Sequence, residues 1–168
     1  WIKTEYYNEN EQYHRIDGPA YEHVNGDKEW HKNGYTHRID GPAIERNDGS
    51  KEWWENDKWI KTKWFNKNGE LHREDGAAYE GANGTKEWWI NGNLHREDGP
   101  AVEFTAGYKV WYQNGELHRE DGPAIEKDDG TKEWWIAGRQ TKDSLCINDK
   151  TSQISQTPLD DIVFPYSK

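Results

Sequence analysis

The chain has 168 residues, with 22 Lys and Arg against 32 Asp and Glu, so its formal net charge is -10. That length suits one domain of ordinary size. The acidic balance counts against direct binding to nucleic acid or to an anionic membrane surface, since both need clustered Lys and Arg, and it leaves room for a basic partner.

A mean hydropathy of -1.33 would fit disorder, but 11 Trp and 9 Tyr supply ample buriable surface. A thin folded body is therefore expected, with an aromatic rather than an aliphatic core. The single cysteine, Cys146, leaves no intramolecular disulfide framework and fits a reducing compartment. No apolar run approaches the length of a membrane span and no secretory signal is visible, so a cytoplasmic location is expected.

In chain order, "WIKTEYYNENEQYHRIDGPAYE" (1–22) leads to a first His-Arg-x-Asp tetrad at His14, Arg15 and Asp17. The tetrad returns at His37, Arg38, Asp40; at His72, Arg73, Asp75; at His95, Arg96, Asp98; and at His118, Arg119, Asp121. Successive His residues are 23 apart, except for 35 between His37 and His72. A fixed period in this range marks a repeat architecture, in which each unit buries its apolar side against the next. The longer gap contains "WIKTKWFNKNGELHREDGAAYE" (59–80), which repeats the opening of the chain. Residues 1–58 and 59–138 therefore read as two duplicated blocks, of two copies and three.

Within a unit the chemistry is that of hairpins. Asn33-Gly34, Asn68-Gly69, Asn91-Gly92 and Asn114-Gly115 are dipeptides favoured in two-residue turns with both residues at φ > 0. A second set of turns falls at Gly26, Gly49, Gly84, Gly107 and Gly130. Aromatic runs such as "KEWWI" stand between the turns and favour strands. The Asp-Gly-Pro-Ala corner should interrupt the following strand, because Pro cannot donate to a ladder. The expected fold is all-β: an elongated, solenoid-like antiparallel β-hairpin repeat array with a C-terminal cap.

Side chains alternate along a strand, so the two aromatic positions of each unit should face opposite ways. Trp30, Trp53, Trp88, Trp111 and Trp134 hold the first position in every copy and are expected to line the core. The second position varies (His31, Trp54, Trp89, Tyr112, Trp135), which fits a more exposed stripe able to anchor a ligand. Residues 139–168 leave the pattern and are expected to cap the array, with "DDIVFP" as a closing extended piece or else a free interaction tail.

The His-Arg-x-Asp tetrad could be taken for a catalytic or metal-binding set. Five copies argue for a structural corner instead, with Arg pairing to Asp or Glu and Asp setting the glycine turn. Two strands per unit, at about 4.8 Å each, put equivalent His residues roughly 10 Å apart, too far to share one ion. The carboxylates are spread evenly, so no catalytic pair stands out. The Glu and Lys of "KEW" read as a solvated charge ladder. No phosphate loop, zinc spacing or Ser-His-Asp pattern is present. The expectation is a non-enzymatic chain without cofactor or metal.

A unit of the form W-[WY]-x-N-G-x-L-H-R-x-D-G-P-A-x-E-x-x-x-G-x-K resembles the variant MORN-type repeats of about 23 residues. More narrowly, it is similar to the "LHREDGPA" repeat proteins of bacteriophages and large DNA viruses. The resemblance covers residues 1–138 and implies a β-hairpin array with a scaffolding or binding role. It also implies a partner protein in the host, such as a basic, DNA-binding or defence protein, met in the host cytoplasm. The alternative is a carbohydrate- or choline-type binding module on a virion or cell surface.

Overall fold

The structure, a computed structural model, describes residues 2–145, and these hold strands, turns and irregular chain without any helix. Strands β1 (Ile2–Glu5), β2 (Tyr21–His23) and β3 (Lys28–Glu29) begin a long sheet. The chain then leaves it for a separate hairpin, β4 (His31–Lys32) and β5 (Tyr35–Thr36). It returns as β6 (Ile44–Glu45) and passes through the longest hairpin, β7 (Ser50–Glu55) and β8 (Lys58–Trp64). Next come β9 (Tyr79–Gly81) and β10 (Lys86–Glu87), then a second separate hairpin, β11 (Trp89–Ile90) and β12 (Asn93–Leu94). The same sequence of events gives β13 (Val102–Glu103), β14 (Lys109–Val110), and a third hairpin, β15 (Tyr112–Gln113) and β16 (Glu116–Leu117). The array finishes with β17 (Ile125–Glu126), β18 (Lys132–Ile136) and β19 (Arg139–Leu145).

Among the described residues the long sheet has 13 strands in the order β1-β2-β3-β6-β7-β8-β9-β10-β13-β14-β17-β18-β19, every pair antiparallel. It does not close on itself. At about 4.8 Å per step it extends over roughly 58 Å. Both block boundaries fall inside hairpins: 58/59 lies at the start of β8, just after the Asn56-Asp57 turn from β7, and β19 pairs with β18 across 138/139. Arg139–Leu145 is thus the last strand of the sheet among the described residues. The rest of the expected cap, with Cys146 and "DDIVFP", lies outside the described residues.

The turns follow their chemistry with one exception. Asn33, Asn91 and Asn114 and the glycines after them all have positive φ, as two-residue hairpin turns require. Asn56-Asp57 and Ala137-Gly138 fill the same place at the two ends of the pattern. At Asn68-Gly69 only the glycine has positive φ. There the loop is three residues long: Asn66 N–H donates to Glu70 O, and Gly69 N–H to Asn66 O. The Asn66 side chain accepts from Asn68 and Glu70, so the closing residue alone needs the left-handed region.

The core is small-chained, which corrects the expectation of an aromatic one. Ala20, Ala43, Ala78, Ala101 and Ala124 are fully buried, with Ile44, Val102, Val110 and Ile125 beside them. No large side chain among the described residues is fully buried. Each buried alanine ends a Gly-Pro-Ala or Gly-Ala-Ala corner, and its carbonyl takes an N–H from the first aromatic position of the same unit: Trp30 to Ala43, Trp88 to Ala101 and Trp111 to Ala124, all at 2.8 Å.

The register shows that the buried face changes sides midway. One row of cross-strand partners runs Tyr21, Glu29, Ile44, Glu52, Thr62 and then Glu80, Lys86, Glu103, Lys109, Glu126. The adjacent row runs Glu22, Lys28, Glu45, Lys51, Lys63 and then Tyr79, Glu87, Val102, Val110, Ile125. Residues in one row share a face, and adjacent rows face opposite ways. The apolar row lies on one face up to β7 and on the other from β9 onward. Each repeat adds two strands to the sheet, whereas β6 to β9 is three steps. The second block therefore runs in the reverse strand direction and covers the reverse face.

Candidate functional site

Each His-Arg-x-Asp tetrad forms a corner that joins one unit to the next. The histidine Nδ1 accepts the N–H of the next unit's turn: Asn33 to His14 at 3.0 Å, and Asn91 to His72, Asn114 to His95 and Ala137 to His118 at 3.2 Å. The arginine N–H donates to the carbonyl of the next unit's second aromatic position, as in Arg73 to Trp89 at 3.1 Å and Arg119 to Trp135 at 3.0 Å. At the block junction Arg38 N–H still donates to Trp54 O, at 3.4 Å, but the histidine bond lapses. His37 Nδ1 is buried without a partner, and Thr36 N–H instead donates to the Asp57 carboxylate.

The arginine side chain makes four contacts. Its Nε donates to the Asp two residues on, at 2.8–2.9 Å in all five corners. Its Nη1 donates to the carbonyl four residues on, as in Arg96 to Pro100 at 3.3 Å and Arg119 to Pro123 at 3.1 Å. The same Nη1 reaches a glutamate, Glu103 for Arg96 and Glu126 for Arg119, at 3.0 Å each. The guanidinium also lies over an aromatic ring: Arg15 on Tyr6, Arg38 on Trp30, Arg73 on Trp64, Arg96 on Trp88 and Arg119 on Trp111, 3.9–4.1 Å from the centroid. These hydrogen bonds hold the carboxyls of Asp17, Asp40, Asp75, Asp98 and Asp121 below the usual range. The following glycine is needed for space, since a Cβ on Gly99 would meet Arg96 Cζ at 3.0 Å.

The two aromatic columns lie otherwise than expected. His31 is buried at 9% exposure and packs beside Tyr13. Trp54, Trp89, Tyr112 and Trp135 are half-buried, and Tyr112 and Trp135 pack on the Val102, Val110 and Ile125 cluster with Leu94 and Leu117. Their polar edges are tied down: Trp54 Nε1 donates to Glu52 at 2.7 Å, Trp89 to Glu87 at 2.8 Å and Trp135 to Glu133 at 3.2 Å, and His31 Nε2 meets Glu29 at 3.0 Å. The candidate stripe is therefore part of the packing against the sheet. The glutamate of "KEW" is its hydrogen-bond acceptor and not a rung of a solvated ladder.

Trp30, Trp88 and Trp111 of the first column border open grooves instead, while Trp53 shares a smaller one, of about 230 Å³, with Trp54. One groove lies between the corners at His14 and His37, floored by Trp30, with a volume of about 470 Å³. Another, of about 680 Å³, lies between Arg73 and Arg96 over Trp88, and a third, of about 580 Å³, between Arg96 and Arg119 over Trp111. A fourth, of about 660 Å³, lies over Trp64 and Phe65 beside Arg73. The residues that distinguish these grooves are those between Arg and Asp in each tetrad: Ile16, Ile39, Glu74, Glu97 and Glu120. Reading the tetrad for its constant members passed over them. Their signal was the change from "HRID" to "HRED" between the blocks.

Among the described residues no three His, Cys, Asp or Glu side chains converge to hold a metal ion. No family model matches the chain, and no curated protein matches it in sequence.

Proposed function

We propose that the chain is a non-enzymatic protein-interaction module that holds a basic partner against its acidic, aromatic-floored grooves. The observation that carries this reading is the recurrence of one open groove along the second block, each floored by a Trp and rimmed by carboxylates. A catalytic site needs its groups assembled once, and here the same corner is built in every unit. Affinity comes from aromatic anchors in a partly desolvated groove, and the carboxylate rim speeds encounter with a positive surface. The likeness to phage and viral repeat proteins supports a host protein, of a defence or DNA-binding kind, as that partner.

The test is immobilised chain exposed to host lysate, with a glycan array run in parallel. Saturable, salt-sensitive capture of one basic protein is the expected result. Saturable sugar binding without any captured protein would overturn the reading in favour of a carbohydrate module.

A further inference from the structure

The two blocks fill one corner position with opposite chemistry. In the second block it holds Glu74, Glu97 and Glu120, whose side chains are 86%, 87% and 84% exposed. In the first it holds Ile16 and Ile39, 91% and 88% exposed. Because the block junction reverses the strands, these are two separate rows of corners at opposite ends of the strands.

The charge around each groove follows from this difference. Arg96 is hydrogen-bonded to Asp98 and Glu103, and Glu97 of the same corner lies 3.9 Å from His95 Nε2, so each such corner holds three carboxylates against one guanidinium. Arg38 faces only Asp40 and Glu45, and its groove also contains Lys32, where the second-block grooves have Ile90 and Gln113. A cation therefore finds an excess of negative charge beside Trp88 and Trp111 and a near balance beside Trp30.

The spacing selects a backbone. Successive grooves of the second block are two strands apart, about 9.6 Å. An extended β-strand returns to the same side every second residue, about 6.7 Å. A polyproline II helix does so every third residue, about 9.3 Å, and it makes no internal hydrogen bonds that docking would disturb. Resting on the interaction-module reading, we propose that the Trp88 and Trp111 grooves form a track for a polyproline II segment of a basic protein. A Lys or Arg at every third residue sits between the carboxylates of successive corners, beside the Trp on which the corner arginine is already stacked.

The probes are two peptides with five lysines each, one of Lys-Pro-Pro triplets and one of Lys-Pro pairs, titrated calorimetrically at fixed ionic strength. The triplet peptide is expected to bind at least tenfold more tightly. Glu74→Ile, Glu97→Ile and Glu120→Ile together, which copy the first-block corner onto solvent-facing positions, should weaken it at least tenfold. Glu9→Gln, Glu11→Gln and Glu55→Gln, which remove as much charge from the first block, should change it less than threefold. Ile16→Glu with Ile39→Glu should not weaken it. Equal affinity for the two peptides, or equal losses in the two triple variants, would overturn the track and leave only diffuse attraction. A host protein captured by the wild type and still captured by the Glu→Ile variant would overturn the track while leaving the interaction module standing.

Discussion

Replacing Arg96 by Ala removes the centre of one corner, and its cost can be assembled from the contacts. The guanidinium lies 3.9 Å from the Trp88 centroid in a side chain 22% exposed, a stacking contact of about 1 kcal/mol. Its hydrogen bond to the Pro100 carbonyl at 3.3 Å contributes about 1 kcal/mol. The ion pair with Glu103, 36% exposed, adds about 0.5 kcal/mol. Asp98 is 82% exposed, so its pair adds little through solvent. The sum is about 2.5 kcal/mol, measurable by urea unfolding followed by far-UV dichroism. Arg96→Lys keeps the charge without the planar fork and should recover less than half of the loss. Asp98→Asn should cost clearly less than Arg96→Ala. If Asp98→Asn and Arg96→Ala cost the same, the corner would be an ion pair and not a stacked clamp, and the reasoning would fail.

Other expectations follow from individual positions. Ala101→Leu inserts bulk where no surface is exposed and should cost about 1–3 kcal/mol by overpacking, while Ile16→Ala should lie within about 0.5 kcal/mol of wild type in the same assay. Asn91→Ala removes the polar side chain that makes φ 48° tolerable and that accepts from Asn66 Nδ2, and should cost about 1 kcal/mol, whereas Asn68→Ala, outside the left-handed region, should be nearly neutral in thermal melts. Trp89→Ala should lower the unfolding midpoint strongly by leaving the Glu87 carboxylate without its indole donor, and an unchanged midpoint would show the second column to be free surface. The corner aspartates have folded pKa values below their unfolded ones, so their stabilisation is complete above the unfolded value of about 3.9 and is lost as pH falls through the lower folded value. The stability gap between wild type and Asp75→Asn, Asp98→Asn, Asp121→Asn should therefore close on acidification below that point. A gap unchanged at the acid limit would refute the pairing.

The hairpin array was legible in the sequence because its turns and tetrads recur at a fixed interval and because Asn-Gly has a narrow conformational meaning. The restart at Trp59 was equally legible. The facing of the aromatic columns was not. Alternation holds only along an unbroken strand, and here Lys86–Glu87 belongs to the long sheet while Trp89–Ile90 belongs to a separate hairpin. Trp88 lies at the break between them, so counting by twos from Glu87 misplaces both rings. At Trp53/Trp54 and Trp134/Trp135, where the strand does continue, a register shift has the same effect. The alanine core was hidden for another reason. Composition shows how much apolar surface a chain owns, but not which positions the fold closes off from solvent.

The odd strand at the block junction separates length from polarity. Adding or losing a whole repeat changes the sheet by an even number, so either arm can grow without altering which way the other looks. The handedness of the pairing between arms resides in β8 alone, and a deletion confined to that one strand would turn the second arm over as a unit, carrying its glutamates to the side now held by the isoleucines.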